Sequence, residues 1–262
     1  MNKIVIVTGG TSGIGKATVE LFKKDGDKVY VLARTSEDVE NMFVCDVSVE
    51  ENVRDTIESI GKNEGRIDIV VNSAGYGLSG AVELTPQEEV KKLIDVNFFS
   101  TLYVNKYALP FMKNGGKIIN ISSTCALFPL PYRSFYCATK SAVNMLSFGL
   151  QMECKQFGVQ VCAICPGEVK TNFTKNRIKI FKTNERYENR IENAANYIDS
   201  KQGRRMPPEK VANVIFKTCN KSKIKPMIIV GGKYRALYVL SKFFPLSWLL
   251  NITEKNFGGH KK

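Results

Sequence analysis

Tyr136 and Lys140 stand four residues apart, and Ser123 precedes the tyrosine by thirteen, at the end of the apolar run Ile118-Ile-Asn-Ile121. If a helix begins near Ser134, the phenol and the ammonium share one of its faces. A cation beside a phenol favours the phenolate, which draws the pKa down from about 10 toward the range of a general acid. A serine hydroxyl at a strand end can hold a carbonyl oxygen while the phenol protonates it. That chemistry reduces a ketone or aldehyde, provided that something else supplies a hydride. The spacing alone is weak, because Tyr197/Lys201 and Tyr238/Lys242 repeat it. Those pairs have Asn184 and Lys225 where the serine should be, and they read as solvated surface residues.

A hydride donor calls for a dinucleotide site, and the N-terminus has the pattern of one. Lys3-Ile-Val-Ile-Val-Thr8 reads as a buried parallel strand. Gly9-Gly10-Thr11-Ser12-Gly13-Ile14-Gly15 follows, and then residues 16–24 at helical spacing. Glycines let the backbone approach a pyrophosphate, and a helix N-terminus presents N–H groups and the positive end of its dipole. The spacing is T-G-x-x-x-G-x-G, a variant of the plain dinucleotide fingerprint. The second strand, residues 28–33, should end beside the adenosine ribose, where an NAD site usually carries an acid. Ala33 and Arg34 stand there instead. A guanidinium able to fork onto a phosphate favours NADPH. Asp46, at the end of a third strand over 43–47, lies where adenine would sit.

The remaining elements follow in order. Residues 49–61 form an amphipathic helix, and a fourth strand from Ile67 runs through Asn72 into the small-residue turn Ser73-Ala74-Gly75. Thr85-Pro86 starts a helix that continues to about residue 112. Asn97 interrupts its apolar face, and it either bridges helices or holds a water. Further strands cover 116–122, 159–165 (stopped by Pro166-Gly167) and 226–231, with helices over 135–157 and from Pro207. Residues 168–205 read as an aromatic-dotted polar insertion and 232–262 as a basic-apolar C-terminal extension. The expected class is α/β: a single doubly wound Rossmann-type domain over 1–262, its seven-stranded parallel sheet carrying helices on both faces. The site should lie beyond the strands' C-terminal ends.

Composition, at 44% hydrophobic and 24% charged over 262 residues, suits a soluble globular domain with a substantial core. Seven cysteines, an odd number, suit a reducing compartment. Cys162-x-x-Cys165 has no second pair and no nearby histidine to complete a zinc site, the only histidine being His260 in the tail, so no metal is expected. With no signal segment and no apolar stretch of the ~20 residues a span needs, the expected location is the cytoplasm, in solution or peripheral to a membrane. The net charge is +13, and residues 201–262 hold 14 Lys/Arg against Glu209 and Glu254. No nucleic-acid motif accompanies them. The cations alternate with large apolar residues from Lys233 to Leu250, which leaves two readings. One is a segment lying on an acidic membrane surface, the other an ordinary helix covering a pocket.

Jointly, Thr8-Gly9-x-x-x-Gly13-x-Gly15, Asp46, Asn72-Ser73-Ala74-Gly75, Asn97, Ser123, Tyr136-x-x-x-Lys140 and Pro166-Gly167 with Thr171 resemble the short-chain dehydrogenase/reductase family, over residues 3–231. The resemblance implies Tyr136 as acid/base, Ser123 orienting the carbonyl, Lys140 lowering the phenol's pKa and binding the nicotinamide ribose, and Asn97 holding a proton-relay water. It implies NADP(H) along Gly9, Thr11, Ser12, Gly13, Ile14 and Gly15, with Arg34, Asp46 and Val47 toward the adenosine. Asn72, Ala74 and Gly75 would form the middle wall, and Pro166, Gly167, Val169 and Thr171 would meet the nicotinamide. Ser73 departs from the family's usual Asn. An apolar lining of Leu127, Phe128, Pro129, Tyr132, Phe173 and Phe181 suggests a small hydrophobic carbonyl or alcohol substrate, steroid-, retinoid- or lipid-like. The alternative is a non-catalytic NADPH-binding regulatory or membrane-docking protein. A homodimer or homotetramer pairing through helices 86–112 and 135–157 is also implied.

Overall fold

The computed structural model describes residues 2–35, 40–113, 115–200 and 205–259. Lys201, Gln202 and His260, and with them part of the insertion and the end of the tail, lie outside the described residues.

The central strand β1 (Ile4–Thr8) is buried along its whole length because both faces are covered. Ile4 and Ile6 join one core with Val53, Ile57 and Ile60 of α2 (Glu50–Glu64), Val104 and Ala108 of α4 (Ser100–Ala108), and Leu150 of α5 (Ser134–Glu153). Val5 and Val7 point the other way, onto Val19 and Phe22 of α1 (Gly13–Lys24) and Val211 and Ile215 of α7 (Pro208–Cys219). Residues i and i+2 share a face of a strand, so a strand between two helical layers must be apolar at every position.

Around β1 the sheet runs β3 (Met42–Val44), β2 (Lys28–Ala33), β1, β4 (Ile69–Asn72), β6 (Gly116–Ile121), β7 (Val159–Pro166), β9 (Met227–Val230). Every neighbouring pair is parallel. Strand order reverses between β1 and β4, which opens a crevice beyond their C-terminal ends.

Several elements depart from the sequence pattern. Helix α1 begins at Gly13, inside the glycine run. The third strand stops at Val44, so Asp46 and Val47 sit in the loop beyond it. The long helix expected over 86–112 is α3 (Gln87–Ile94), one π turn at Asp95–Phe99, then α4. Periodicity reads straight through a π turn because the apolar stripe slips by only one residue. The polar insertion is partly ordered by β8 (Ile178–Lys179), which pairs in parallel with β5 (Leu78–Ser79), and by α6 (Arg190–Ser200). The tail forms α8 (Gly232–Ser241) and α9 (Leu246–Phe257).

Candidate active site

The turn after β1 depends on backbone geometry that side chains would forbid. Gly9 and Gly13 take φ of +65° and +54°, and a Cβ on Gly15 would lie 2.2 Å from the Gly9 carbonyl oxygen. Only glycine combines that conformation with that closeness. The Thr8 hydroxyl accepts from the Ser73 and Ala74 N–H groups at 3.0 and 3.1 Å, which ties the turn after β1 to the turn after β4. Thr11, Ser12, Gly13 and Ile14 line the cleft at the start of α1, whose first turn has no acid and no side-chain cap. Such an end offers N–H groups to an anion. Gly15 packs beneath the turn and does not line the cleft.

Arg34 lies exposed at the end of β2, with Asp46 and Val47 beside it on the cleft wall. The Asp46 carboxylate is held by the Ser48 N–H and hydroxyl at 3.0 and 2.6 Å. Ala74 and Gly75 form the middle wall together with Ser73. Asn72 does not join them. Its amide donates to Asn105 and Asn120 at 2.7 and 2.8 Å, and Asn120 in turn donates to Ser147 at 2.9 Å. The expectation for Asn72 is corrected by burial: at the end of β4 its side chain faces α4 and β6, and its part is to join elements.

Asn97 lies behind the cleft wall. It is fully buried and contributes no side-chain atom to the cleft. Its amide oxygen accepts from the Tyr76 N–H at 2.9 Å, and its nitrogen donates to the Tyr76 carbonyl at 2.9 Å and to Thr139 at 3.3 Å. The π turn brings this side chain under Gly75–Tyr76. Its side chain is thus committed to the wall behind the cleft.

Ser123, Tyr136 and Lys140 come together as the spacing requires. Ser123 lies close enough to the Tyr136 phenol to favour its ionised form, and its hydroxyl accepts from the Cys125 N–H at 3.1 Å. Lys140 donates to the Ile121 carbonyl at 2.9 Å, and Ser122 to the Lys140 carbonyl at 2.9 Å, so the end of β6 is latched to α5. Burial pushes the Lys140 ammonium down to about 8. The phenol behaves otherwise than the sequence suggests. Burial pushes it well above its usual value, Cys125 adds to that rise, and Arg133 and Ser123 only partly offset it. The groups acting on it most do not include Lys140, whose proton-bearing atom is turned to a backbone carbonyl.

Ser123, Tyr136 and Lys140 open onto one cleft of about 1560 Å³, shared with Pro166, Gly167, Val169 and Thr171. Ligand pockets usually span roughly 300–1,000 Å³, so there is room for a dinucleotide and a second molecule. A nicotinamide dinucleotide fits this donor set. The glycine cradle and the helix end suit its diphosphate, and the residues around Tyr136 suit its ring end.

Of the apolar residues expected at the substrate end, Phe128 and Phe173 line the cleft, and Phe173 packs 5.7 Å from the Tyr136 ring. Leu127, Pro129, Tyr132 and Phe181 do not. Tyr132 turns away at φ +59° to meet Tyr187. In their place the cleft holds Cys125, Arg133, Arg177, Tyr234 and a face of α9 including Leu249 and Ile252. Tyr234 lies so close over Gly167 that a Cβ there would meet its ring at 2.1 Å. Arg133 has a local signal, standing three residues before Tyr136 at the entry to α5. The others are brought in by loops and helices distant in sequence. Cys162 and Cys165 are buried free thiols on β7, Cys165 donating to Asn144 at 3.5 Å, as packing predicts.

A family model described as short chain dehydrogenase matches residues 3–179. A 3-ketodihydrosphingosine reductase of Bacteroides thetaiotaomicron is 35% identical over 254 residues, covering 94% of this chain and 93% of that protein. A probable short-chain type dehydrogenase/reductase, VdlC, of Helicobacter pylori is 35% identical, covering 94% of each chain. Among solved structures, a short-chain dehydrogenase from Streptomyces avermitilis superposes with TM-score 0.82 at 27% identity, over 97% of each chain. ElxO with NADP bound superposes with TM-score 0.75 at 30% identity, over 90% of this chain and 100% of that one.

Proposed function

The chain belongs to the short-chain dehydrogenase/reductase family of oxidoreductases, and from that premise we propose that it is an NADPH-dependent reductase of hydrophobic, lipid-like ketones or aldehydes. The observation that carries this reading is that the glycine cradle, Arg34 and the Ser123–Tyr136–Lys140 group all face one cleft large enough for cofactor and substrate together. NADPH, when bound, supplies the hydride. Tyr136, kept protonated by its burial, starts as the acid that reduction needs, and with Ser123 it holds the carbonyl oxygen. Lys140, with a proton it can release near neutral pH, replenishes the phenol. Asn97 sets the position of Gly75–Tyr76 between them: a Cβ on Gly75 would lie 3.0 Å from Asn97 Oδ1 and 3.5 Å from Lys140 Nζ. Arg34 reads the ribose 2′-phosphate. The name of the Bacteroides relative supports a long-chain ketone, and the NADP held by ElxO supports the cofactor. A non-catalytic role fits poorly with an intact Ser123, Tyr136 and Lys140.

Purified protein should oxidise NADPH faster than NADH with a long-chain ketone, and Arg34→Asp should reverse that preference. A variant that still prefers NADPH, or turnover confined to small polar carbonyls, refutes the corresponding half of the proposal.

A peripheral membrane contact is favoured by a specific surface. Among the described residues no helix is long and apolar enough to cross a membrane. Yet Leu240, Phe243, Phe244, Leu246 and Leu250 are exposed along α8–α9, Phe243 by 78%, next to Arg235, Lys242 and Lys255. The inner face of the same α9 lines the cleft. An apolar strip with basic flanks binds acidic bilayers. Protein that fails to float with anionic vesicles retires this reading. Pairing of subunits through α5, as a homodimer or homotetramer, is supported by exposed Met145 and Met152 on that helix and is open to sedimentation analysis.

A further inference from the structure

Two arginines stand buried at the substrate end of the cleft, Arg133 with 8% and Arg177 with 5% of its surface exposed. The Nε of each is buried without a hydrogen-bond partner. Arg177 is held through Nη2 by Asp199 at 2.8 Å, and the other oxygen of that carboxylate is taken by Lys179, also at 2.8 Å. Among the described residues no carboxylate comes within ion-pair distance of Arg133. Its guanidinium lies over the Tyr136 ring instead, 4.6 Å from the centroid. It follows Leu130, Pro131 and Tyr132 to precede the first turn of α5, which has no side-chain cap and so adds a positive dipole end to the same place. Arg205, bonded to the Thr174 hydroxyl and the Ile198 carbonyl, adds a further positive charge nearby.

A buried guanidinium without a carboxylate is costly. A fold retains such a group where a ligand pairs with it, since leaving a buried ion uncompensated is what burial punishes most. The walls on either side are apolar: Phe128, Phe173, Ile198, Leu249 and Ile252. We propose that the substrate end is an oxyanion site, so that the ketone reduced here carries a carboxylate or phosphate a few bonds from its carbonyl, on Arg133 backed by Arg177, with its hydrocarbon body against the apolar walls. The short reach follows from Arg133 sitting on the very ring whose hydroxyl meets the carbonyl. The inference deepens the reductase reading and rests on it for the word ketone. It also predicts selectivity against a long-chain amino ketone, whose ammonium the two guanidiniums would repel.

The chain has one tryptophan, Trp248, and it lines the cleft, which gives a binding signal independent of turnover. Decanoate, decyl phosphate, decanol and decyltrimethylammonium, each below its micelle concentration, should be titrated against its fluorescence. The expected result is that at least one anion binds tenfold or more tightly than decanol and the ammonium binds worst. The ranking of decanoate against decyl phosphate tells which oxyanion fits. Arg133→Gln should bring the anions down to the level of decanol, and Arg133→Lys should restore part of the difference. In turnover, the ratio of kcat/KM for a long-chain keto acid over its methyl ester should fall tenfold or more in Arg133→Gln, whichever way the absolute rates move. Decanol binding as tightly as both anions, or an anion preference unchanged in Arg133→Gln, overturns the proposal. So does rapid alkylation of Cys125 at neutral pH that no oxyanion slows, because the guanidinium would then be paired with the chain's own thiolate. If no ketone is turned over at all, the reductase reading fails, and the Trp248 titration still decides the oxyanion site.

Discussion

Two buried cations flank one phenol on helix α5, and the chain treats them in opposite ways. Lys140, one turn after Tyr136, donates to the Ile121 carbonyl at 2.9 Å, and burial pushes it down to about 8. Arg133, just before the helix, stays charged. Burial works against its charge, which a guanidinium keeps all the same. An ammonium can shed its proton when buried, whereas a guanidinium effectively cannot. The side of Tyr136 toward the glycine cradle is therefore built from backbone and holds a group that can pass a proton. The opposite side is built from side chains of the insertion and the tail, and holds permanent charge. One side suits a cofactor of fixed shape, the other a substrate whose head group must be told from its neighbours.

The comparison can be broken at its centre first. Tyr136→Phe leaves both sides able to bind but removes the proton donor, and should lower kcat by roughly 10²- to 10⁴-fold with the affinity for NADPH nearly unchanged. A loss of cofactor affinity equal to the loss of rate would mean that the two sides are not separable.

A smaller effect tests the Lys140 side by its pH dependence. Lys140 titrates at about 8 in the fold against 10.5 when free. Between those values the unfolded chain binds the extra proton, so stability rises as pH climbs through the window and the cost of burying the charge disappears. Comparing wild type with Lys140→Met cancels the contributions of the buried thiols and phenol. The difference between their stabilities should change by on the order of 3 kcal/mol from pH 8 to pH 10.5. Parallel curves from chemical denaturation would show that Lys140 is not desolvated as described. Arg133→Met should show no such difference in that window, since its charge does not titrate there.

How much could be read from the chain alone differs between the same two sides. Strand β2 runs from Lys28 to Ala33 as its β-branched pattern requires, and the Gly9–Gly15 turn lies where its spacing puts it. Asn97 stands out in the sequence as an interruption of an apolar face, yet its partners, Tyr76 and Thr139, lie 21 and 42 residues away. Only the π turn decides which of them it meets. Asn72 is not legible for the same reason: a polar residue at a strand end faces either the cleft or a neighbouring helix, and its bonds to Asn105 and Asn120 turn it to α4 and β6.

What the residue order determined by itself is the local part of this protein. Positive φ at glycine, strand alternation, and a serine, tyrosine and lysine at fixed helical and strand-end intervals are set by the backbone within a few residues of each. What only the tertiary structure decided is charge compensation at the substrate end. Whether Arg133 meets an acid depends on whether the insertion carries Asp199 to it from 66 positions further along the chain. Asp199 arrives, but it is shared between Arg177 and Lys179. Electrostatic pairing is a property of distance in space, and no spacing in sequence encodes it.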